Sequence, residues 1–222
     1  MLHAIVTSPL RPSMLPDTSS CYERGRVAMT LATTTDDGDM LAELRKGSRA
    51  AKAAFFDRHC QSVRRVLLRL LGHDADLADL LNEVFTRALE SLRRYRGDAG
   101  GLGPWITRIA VHTARETIRR RQRGRRHLAT ARDVDAAPHP GASPDIELAL
   151  KRAYAALDQM HPDLRIPFAL RFVDGMELTE VADACDVSLA TVKRRLVKAR
   201  ARFVLLARRD AVLAGWLEGE AT

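Results

Sequence analysis

The residues best suited to recognition lie near the C-terminal end, where four basic side chains fall within six positions: Lys193, Arg194, Arg195 and Lys198. Arginine pairs bidentately with guanine edges, whereas lysine mostly holds phosphates. Ser188 is suited to cap a helix that starts just before them, with Thr191 three residues on. The pattern predicts a DNA-reading helix. The alternative is an amphipathic helix whose basic face is only solvated.

A helix-turn-helix would position these side chains. Leu178, Val181 and Ala182 form the apolar face of a first short helix, and the small Ala182 allows close approach. A turn is expected at Cys185-Asp186, since aspartate tolerates the left-handed conformation better than most residues. The second helix would bury the face made by Val192, Leu196, Ala199 and Phe203. Its basic side chains then project outward near its start, where a recognition helix meets the major groove.

Three acidic side chains share one face of a helix expected from about residue 74 to residue 95. Asp76, Asp79 and Glu83 are spaced i, i+3 and i+7, which places them in one stripe. An acidic stripe on an otherwise basic chain is a candidate functional surface. The alternative is an ordinary solvated face.

The helix expected next along the chain, after the one that carries the acidic stripe, combines a tryptophan with several arginines. It follows the glycine-rich segment 96–103, and Pro104 suits its first turn. Trp105 is suited to the core or, alternatively, to a platform for an unstacked base. The helix also carries candidate phosphate contacts at Arg108, Arg115, Arg119 and Arg120. The arginine-dense segment 119–126 is typical of a nucleic-acid patch, or else it only solubilises the helix end.

Composition narrows the class of protein. The 222 residues carry a net charge of +8, and 46% of them are hydrophobic, which suits a globular protein with a polyanionic partner. Cys21, Cys60 and Cys185 are too far apart to indicate a disulfide framework or a zinc site. No apolar run approaches a membrane span, and no secretory signal is recognisable. We expect a cytoplasmic protein without cofactor or metal.

The helical patterns divide the chain into an all-α protein of two small bundles joined by a flexible linker. Residues 1–39 are expected to be disordered, because they show no sustained periodicity. The predicted bundles are residues 40–124 and 145–209, with a proline-marked linker at 125–144. A tail at 210–222 would extend the last helix, cap the bundle or bind a regulator.

The order of motifs resembles a known family. Asp79-Leu-Leu-Asn-Glu-Val-Phe85, then Pro104-Trp-Ile-Thr-Arg-Ile-Ala110 and an arginine run, resembles region 2 of bacterial sigma factors of the extracytoplasmic-function type (sigma-70 family, group 4). The block from Ala156 to Leu196 is similar to their region 4. The resemblance covers roughly residues 41–209.

The resemblance implies a set of partners and contacts. The partners would be core RNA polymerase (β′ clamp helices and β flap), promoter DNA and an anti-sigma factor as candidate regulator. The stripe helix would dock on polymerase through Asp76, Asp79, Asn82, Glu83 and Phe85. The tryptophan helix would bind the −10 element through Trp105, Arg108, His112, Arg115, Arg119 and Arg120. The C-terminal helix would read the −35 element through Ser188, Thr191, Lys193, Arg194, Arg195 and Lys198.

The sequence departs from the family pattern at several positions. Leu102 and Gly103 stand where family members usually place Phe and a basic or polar residue, and His112 stands where Asn is common. Pro167 lies inside the expected first long helix of region 4. That helix must therefore begin late, after Pro162, or be kinked, because proline removes a backbone donor.

Three functions are compatible with these motifs. The leading hypothesis is a sigma factor that directs promoter-specific initiation and performs no bond chemistry. The alternative is a polymerase-independent helix-turn-helix regulator whose N-terminal bundle senses a ligand or dimerises. A DNA-processing enzyme is disfavoured, because Ser48, Ser62 and Ser91 lack an evident His or Asp partner set.

Overall fold

The computed structural model describes residues 33–72, 75–97, 101–127 and 144–218, and the regular structure within these ranges is entirely α-helical. The sequence-based expectation of an all-α protein is thereby confirmed. The helices of these ranges are α1 (Thr33–Arg45), α2 (Arg49–Leu71), α3 (Leu77–Ser91), α4 (Leu102–His127), α5 (Pro144–Asp158), α6 (Pro162–Phe172), α7 (Leu178–Cys185), α8 (Leu189–Ala207) and α9 (Ala211–Glu218).

Helices α1 to α4 form the first bundle, which packs around α2. Phe55, Val63 and Leu67 on α2 are fully buried. Ser48 caps α2 by accepting a hydrogen bond from the Ala51 N–H at 3.3 Å. The helix ends at Gly72, whose φ of 78° lies in the left-handed region that favours glycine.

Helices α5 to α9 form the second bundle, with an aromatic centre. Phe168 on α6 stacks against Phe203 on α8, with ring centroids 5.0 Å apart. Helix α6 starts at Pro162, is capped by His161 and contains Pro167. The helix thus begins at Pro162, close to the late start that was expected, and Pro167 still lies within it. Pro167 is the sixth of its eleven residues, so it removes a backbone donor from the middle of the helix.

The tail forms a separate helix that closes the second bundle. Leu213 on α9 is fully buried in the same apolar cluster as Phe203. The Asp210 carboxylate starts the helix by accepting hydrogen bonds from the Val212 and Leu213 N–H groups, at 3.1 and 3.2 Å. Of the three alternatives for residues 210–222, the structure supports capping for 210–218.

The N-terminal boundary differs from the prediction. Residues 33–39 belong to α1, so the expectation of irregular structure is wrong there, and residues 1–32 lie outside the described ranges. The reason is a long-range contact: the Asp37 carboxylate accepts the Leu102 N–H at 3.0 Å and pairs with Arg58 at 3.2 Å. The same contact starts α4 at Leu102, before Pro104.

The other boundaries shift by a few residues. Helix α3 ends at Ser91, and α4 continues to His127. The first three residues of the predicted linker are therefore helical, and 128–143 lie outside the described residues. Among the described helices, none combines the length and apolar composition needed to cross a membrane.

The two bundles pack directly against each other. One apolar cluster continues from the first bundle into α6, α7 and α8, and includes Leu170, Val181 and Cys185 together with Ile118. The Tyr154 ring of α5 lies against Gly72 so closely that a Cβ there would be 3.3 Å from its Cδ1. The bundles are thus held together by side-chain contacts in addition to the chain that connects them.

Candidate nucleic-acid and partner interfaces

The turn of the helix-turn-helix has the predicted backbone. Asp186 lies in the left-handed region with φ 53° and ψ 52°, the single positive φ of a non-glycine residue among the described ranges. The Val187 N–H then donates to the Ala182 carbonyl at 3.1 Å. Helix α7 is further fixed by a capping box, in which the Glu177 N–H donates to the Glu180 carboxylate at 2.7 Å. The prediction for this turn is confirmed by its geometry.

Helix α8 presents a basic surface at its capped start. The Ser188 hydroxyl accepts the Thr191 N–H at 3.3 Å and lies 2.9 Å from the Thr191 hydroxyl. The predicted inner face is buried, at Val192, Leu196, Ala199 and Phe203. Lys193, Arg194 and Lys198 are exposed, whereas Arg195 is half-buried. Three of the four basic side chains are therefore available to DNA in this arrangement.

An apolar side chain on the same surface escaped the sequence-based prediction. Val197 is 72% exposed and lies between Arg194 and Lys198 along the helix. Apolar groups on a recognition helix contact the thymine methyl in the major groove. The signal in the sequence was weak, because a single valine in an amphipathic helix usually belongs to the core.

Trp105 on α4 is a core residue. It is 9% exposed, and its ring centroid lies 4.6 Å from that of Tyr95. Leu102, just before it, is 1% exposed. The core alternative therefore holds for Trp105 in this arrangement. Leu102 likewise serves packing and does not face outward.

The polar side chains of α4 divide between two environments. His112 and Arg120 are exposed, and His112 Nδ1 lies 3.5 Å from Glu116. Arg115 and Arg119 approach the second bundle, with nitrogens 3.7 and 3.6 Å from the Asp163 carboxylate; Arg115 is largely covered, whereas Arg119 remains exposed. Arg108 lines a surface pocket together with the turn of the helix-turn-helix: Ala182, Asp183, Asp186, Val187 and Ser188.

The buried thiol of Cys185 on α7 is influenced by charges on both α4 and α8. Burial raises its pKa to about 11, and the opposing charges of Arg115 on α4 and Arg195 on α8 reduce the shift only in part. A candidate −10 contact and a candidate −35 contact thus act on the same buried group. A thiol with this pKa stays protonated and unreactive at neutral pH.

The acidic stripe of α3 is partly neutralised. Asp79 and Asn82 are exposed. Asp76 pairs with Arg121 at 3.1 Å, and Glu83 pairs with Arg87 at 2.6 Å. Asp79 and its exposed neighbour Asn82 are therefore the part of this surface most available to a basic partner.

Phe85 does not belong to that exposed surface. It is 6% exposed and packs edge-on against Phe55 with ring centroids 5.6 Å apart. In this structure it supports α3 from inside.

A polar cluster at the start of α4 was also missed from sequence. Asp37 on α1 joins Arg58 and the Leu102 N–H, as described above, and His59 lies beside Gly103. Burial lowers the pKa of His59 to about 4, with Asp37 opposing and Arg58 adding to the shift. Residues so distant in sequence show no recognisable spacing, so the cluster is visible only in the fold.

Comparison with known proteins agrees with this architecture. Residues 55–124 match the family Sigma-70 region 2, and residues 150–203 match Sigma-70, region 4. The ECF RNA polymerase sigma factor SigE of Mycolicibacterium smegmatis is 30% identical over 64% of this chain, which spans 56% of that protein. The sigma factor CarQ of Myxococcus xanthus is 29% identical over 70% of this chain and 88% of its own. The ECF sigma-E factor of Escherichia coli K12 is 28% identical over 74% and 90%.

Solved structures show the same fold. CnrH, determined in complex with the cytosolic domain of CnrY, aligns with a TM-score of 0.54 at 21% identity, covering 79% of this chain and 99% of its own. The sigma factor RpoE of Bartonella quintana, in complex with the anti-sigma factor NepR, gives 0.52 at 21% identity, covering 68% and 92%. The helical bundles belong to a class of two-part transcription initiation subunits. The chain is a member of the extracytoplasmic-function sigma factors, group 4 of the sigma-70 family.

Proposed function

We propose that this sigma factor recognises promoters through two helices of different bundles. The start of α8 reads the −35 element in the major groove through Ser188, Thr191, Lys193, Arg194, Arg195 and Lys198. Helix α4 contacts the −10 element through its outward-facing polar residues. The observation that carries the proposal is the capped start of α8, where Lys193, Arg194 and Lys198 are exposed beside an ordered turn.

Polymerase docking is assigned to the exposed centre of the α3 stripe. Asp79 and Asn82 are free to meet a basic surface such as the β′ clamp helices, and the second bundle meets the β flap. Asp76 and Glu83 are already paired within the chain, so they contribute by exchanging partners. Phe85 contributes indirectly, by fixing α3 against Phe55.

The proposed mechanism is positioning and strand capture, without bond chemistry. Two tethered modules that each bind weakly gain affinity through effective concentration. We place this activity in the cytoplasm, where core polymerase and promoters meet. An anti-sigma factor is the expected regulator, because CnrH and RpoE were each determined in complex with CnrY or NepR.

The experiment that tests the −35 assignment is in vitro transcription with core polymerase and mapped start sites, comparing the wild type with Arg194→Ala. Loss of one bidentate contact should reduce discrimination between matched and mismatched −35 sequences by about 1–3 kcal/mol. Arg208→Ala is the matched control, since Arg208 is exposed at the opposite end of α8. Unchanged promoter selection by Arg194→Ala would remove this helix from −35 recognition.

A further inference from the structure

The start of α4 is held by a carboxylate from a distant part of the chain. The Asp37 Oδ2 atom accepts the N–H of Leu102, the first residue of α4, at 3.0 Å across 65 positions of sequence. The first N–H groups of a helix have no partner within the helix, so a side chain or water must satisfy them. Here α1 supplies that side chain, and its negative charge is favoured at this end of the helix dipole.

The same carboxylate is fixed on its other side by α2. Its Oδ1 atom lies 3.2 Å from Nη1 of Arg58. The Asp37 side chain is 14% exposed, so the carboxylate is largely shielded from water and its two oxygens are directed at separate partners. One side chain of α1 thus joins α2 to the first residue of α4.

The glycine just before α4 lies directly against this carboxylate. Gly101 has a φ of 78°, in the left-handed region that favours glycine. A Cβ at this position would lie 2.6 Å from Asp37 Oδ2, which is closer than a carbon and an oxygen atom can approach. A side chain at residue 101 would therefore displace the carboxylate as well as strain the backbone.

The start of α4 has two anchors of different kinds. Trp105 in its first turn packs against Tyr95, with ring centroids 4.6 Å apart. The preceding segment, residues 97–101, reads Gly-Asp-Ala-Gly-Gly and supplies no large apolar side chain for the core. The Asp37 carboxylate is the second anchor, at the junction between this segment and the helix. The geometry of the junction therefore depends on a residue of α1.

We propose that Asp37 is a positioning residue for −10 recognition, which holds the start of α4 and its junction with the glycine segment in the geometry that reads the element. The inference rests on the function proposed above for α4. Asp37 acts through the Leu102 N–H and through its contact with Gly101. It lies outside residues 55–124, the part of the chain that matches region 2. Its loss should impair −10 recognition and leave −35 recognition by α8, in the other bundle, unchanged.

The test is in vitro transcription with the full-length chain and core polymerase, at a promoter found by the start-site mapping described above. One template pair differs by a single base pair in the −10 element, and a second pair by a single base pair in the −35 element. Asp37→Ala should reduce discrimination within the −10 pair about five-fold, which corresponds to one weak base contact. Discrimination within the −35 pair should equal that of the wild type.

Two further variants of α1 grade the effect. Asp37→Asn keeps an oxygen that accepts the Leu102 N–H but removes the charge that pairs with Arg58, so it should lose about two-fold in −10 discrimination. This variant decides the question if Asp37→Ala fails to fold. Asp39→Ala is the matched control, because Asp39 is an exposed carboxylate on the same helix. It should behave as the wild type on both template pairs.

Gly101→Ala tests whether the glycine acts through the carboxylate. Its Cβ would displace Asp37 from the start of α4, so it should lower −10 discrimination as Asp37→Ala does. The double variant with Asp37→Ala should then be little worse than either single variant, because both remove the same contact. Additive losses would show that the two residues act separately and would overturn the coupling.

Thermal unfolding of each variant distinguishes positioning from loss of the fold. Unchanged −10 discrimination in folded Asp37→Ala and Asp37→Asn overturns the positioning role. Equal losses on the −10 and −35 pairs overturn it as well, since they indicate a general defect. A wild-type chain that directs no specific initiation with core polymerase refutes the proposed function, and the inference with it.

Discussion

His59 shows how a single residue makes the stability of the first bundle depend on pH. Its pKa falls from 6.5 to about 4 on folding, mainly because of burial. The unfolded chain therefore binds more protons between these values, and the folded state loses stability as the pH falls from about 6.5 to about 4. The full loss would be about 3 kcal/mol.

The expected result is a flatter pH profile after substitution. Urea unfolding of His59→Gln at pH 7 and pH 4.5 should show a smaller difference in unfolding free energy than the wild type. His112→Gln serves as the control, since His112 is on the same bundle with a side chain 62% exposed. Equal pH dependence in wild type and His59→Gln would contradict a buried neutral imidazole.

At the scale of elements, helix α9 packs its apolar side chains into the core of the second bundle. Leu213→Ala should destabilise the protein by about 2–5 kcal/mol, because it leaves a cavity beside Phe203. Leu205→Ala, on the 45% exposed Leu205 of α8, should cost far less. Thermal and urea unfolding compare the two. Similar losses for both variants would show that α9 does not pack in solution as it does here.

Sequence patterns predicted the elements better than their ends. The turn at Asp186 and the cap at Ser188 follow local rules, so α7 and α8 were recognisable residue by residue. The starts of α1 and α4 were misplaced because they depend on the contact between Asp37 and Leu102, which are 65 residues apart. Helix propensity carries no information about such a partner.

The same contrast between local sequence patterns and long-range contacts applies to the candidate sites. Exposed residues such as Lys193 and Asp79 lie on the faces that helical spacing indicated. Phe85 was expected at an interface but is buried, because an amphipathic pattern does not distinguish a partner's surface from the chain's own core. The packing of one bundle on the other was not predictable either. No sequence pattern links the Arg165 guanidinium to its acceptor in the other bundle, the Leu70 carbonyl.

At the scale of the whole molecule, docking on polymerase should depend on charge at the centre of the α3 stripe. Asp79→Lys should weaken co-purification with core polymerase while leaving thermal stability unchanged, because the side chain is exposed. The double variant with Glu83→Lys should weaken it further, although it also breaks the pair with Arg87. Glu90→Lys is the matched control on the same helix. Undiminished co-purification of the Asp79 variant would exclude this docking surface.

The guanidinium of Arg115 destabilises the contact between the two bundles. Its Nε and Nη2 are buried and have no hydrogen-bond acceptor within the described parts of the chain, apart from the longer ion-pair approach to Asp163. A buried donor without an acceptor raises the free energy of the folded state. A hydrogen bond to water or to a phosphate oxygen would remove that cost. The packed contact is therefore less stable than its number of polar side chains suggests, and a phosphate oxygen that reached Arg115 would satisfy donors that this arrangement leaves without an acceptor.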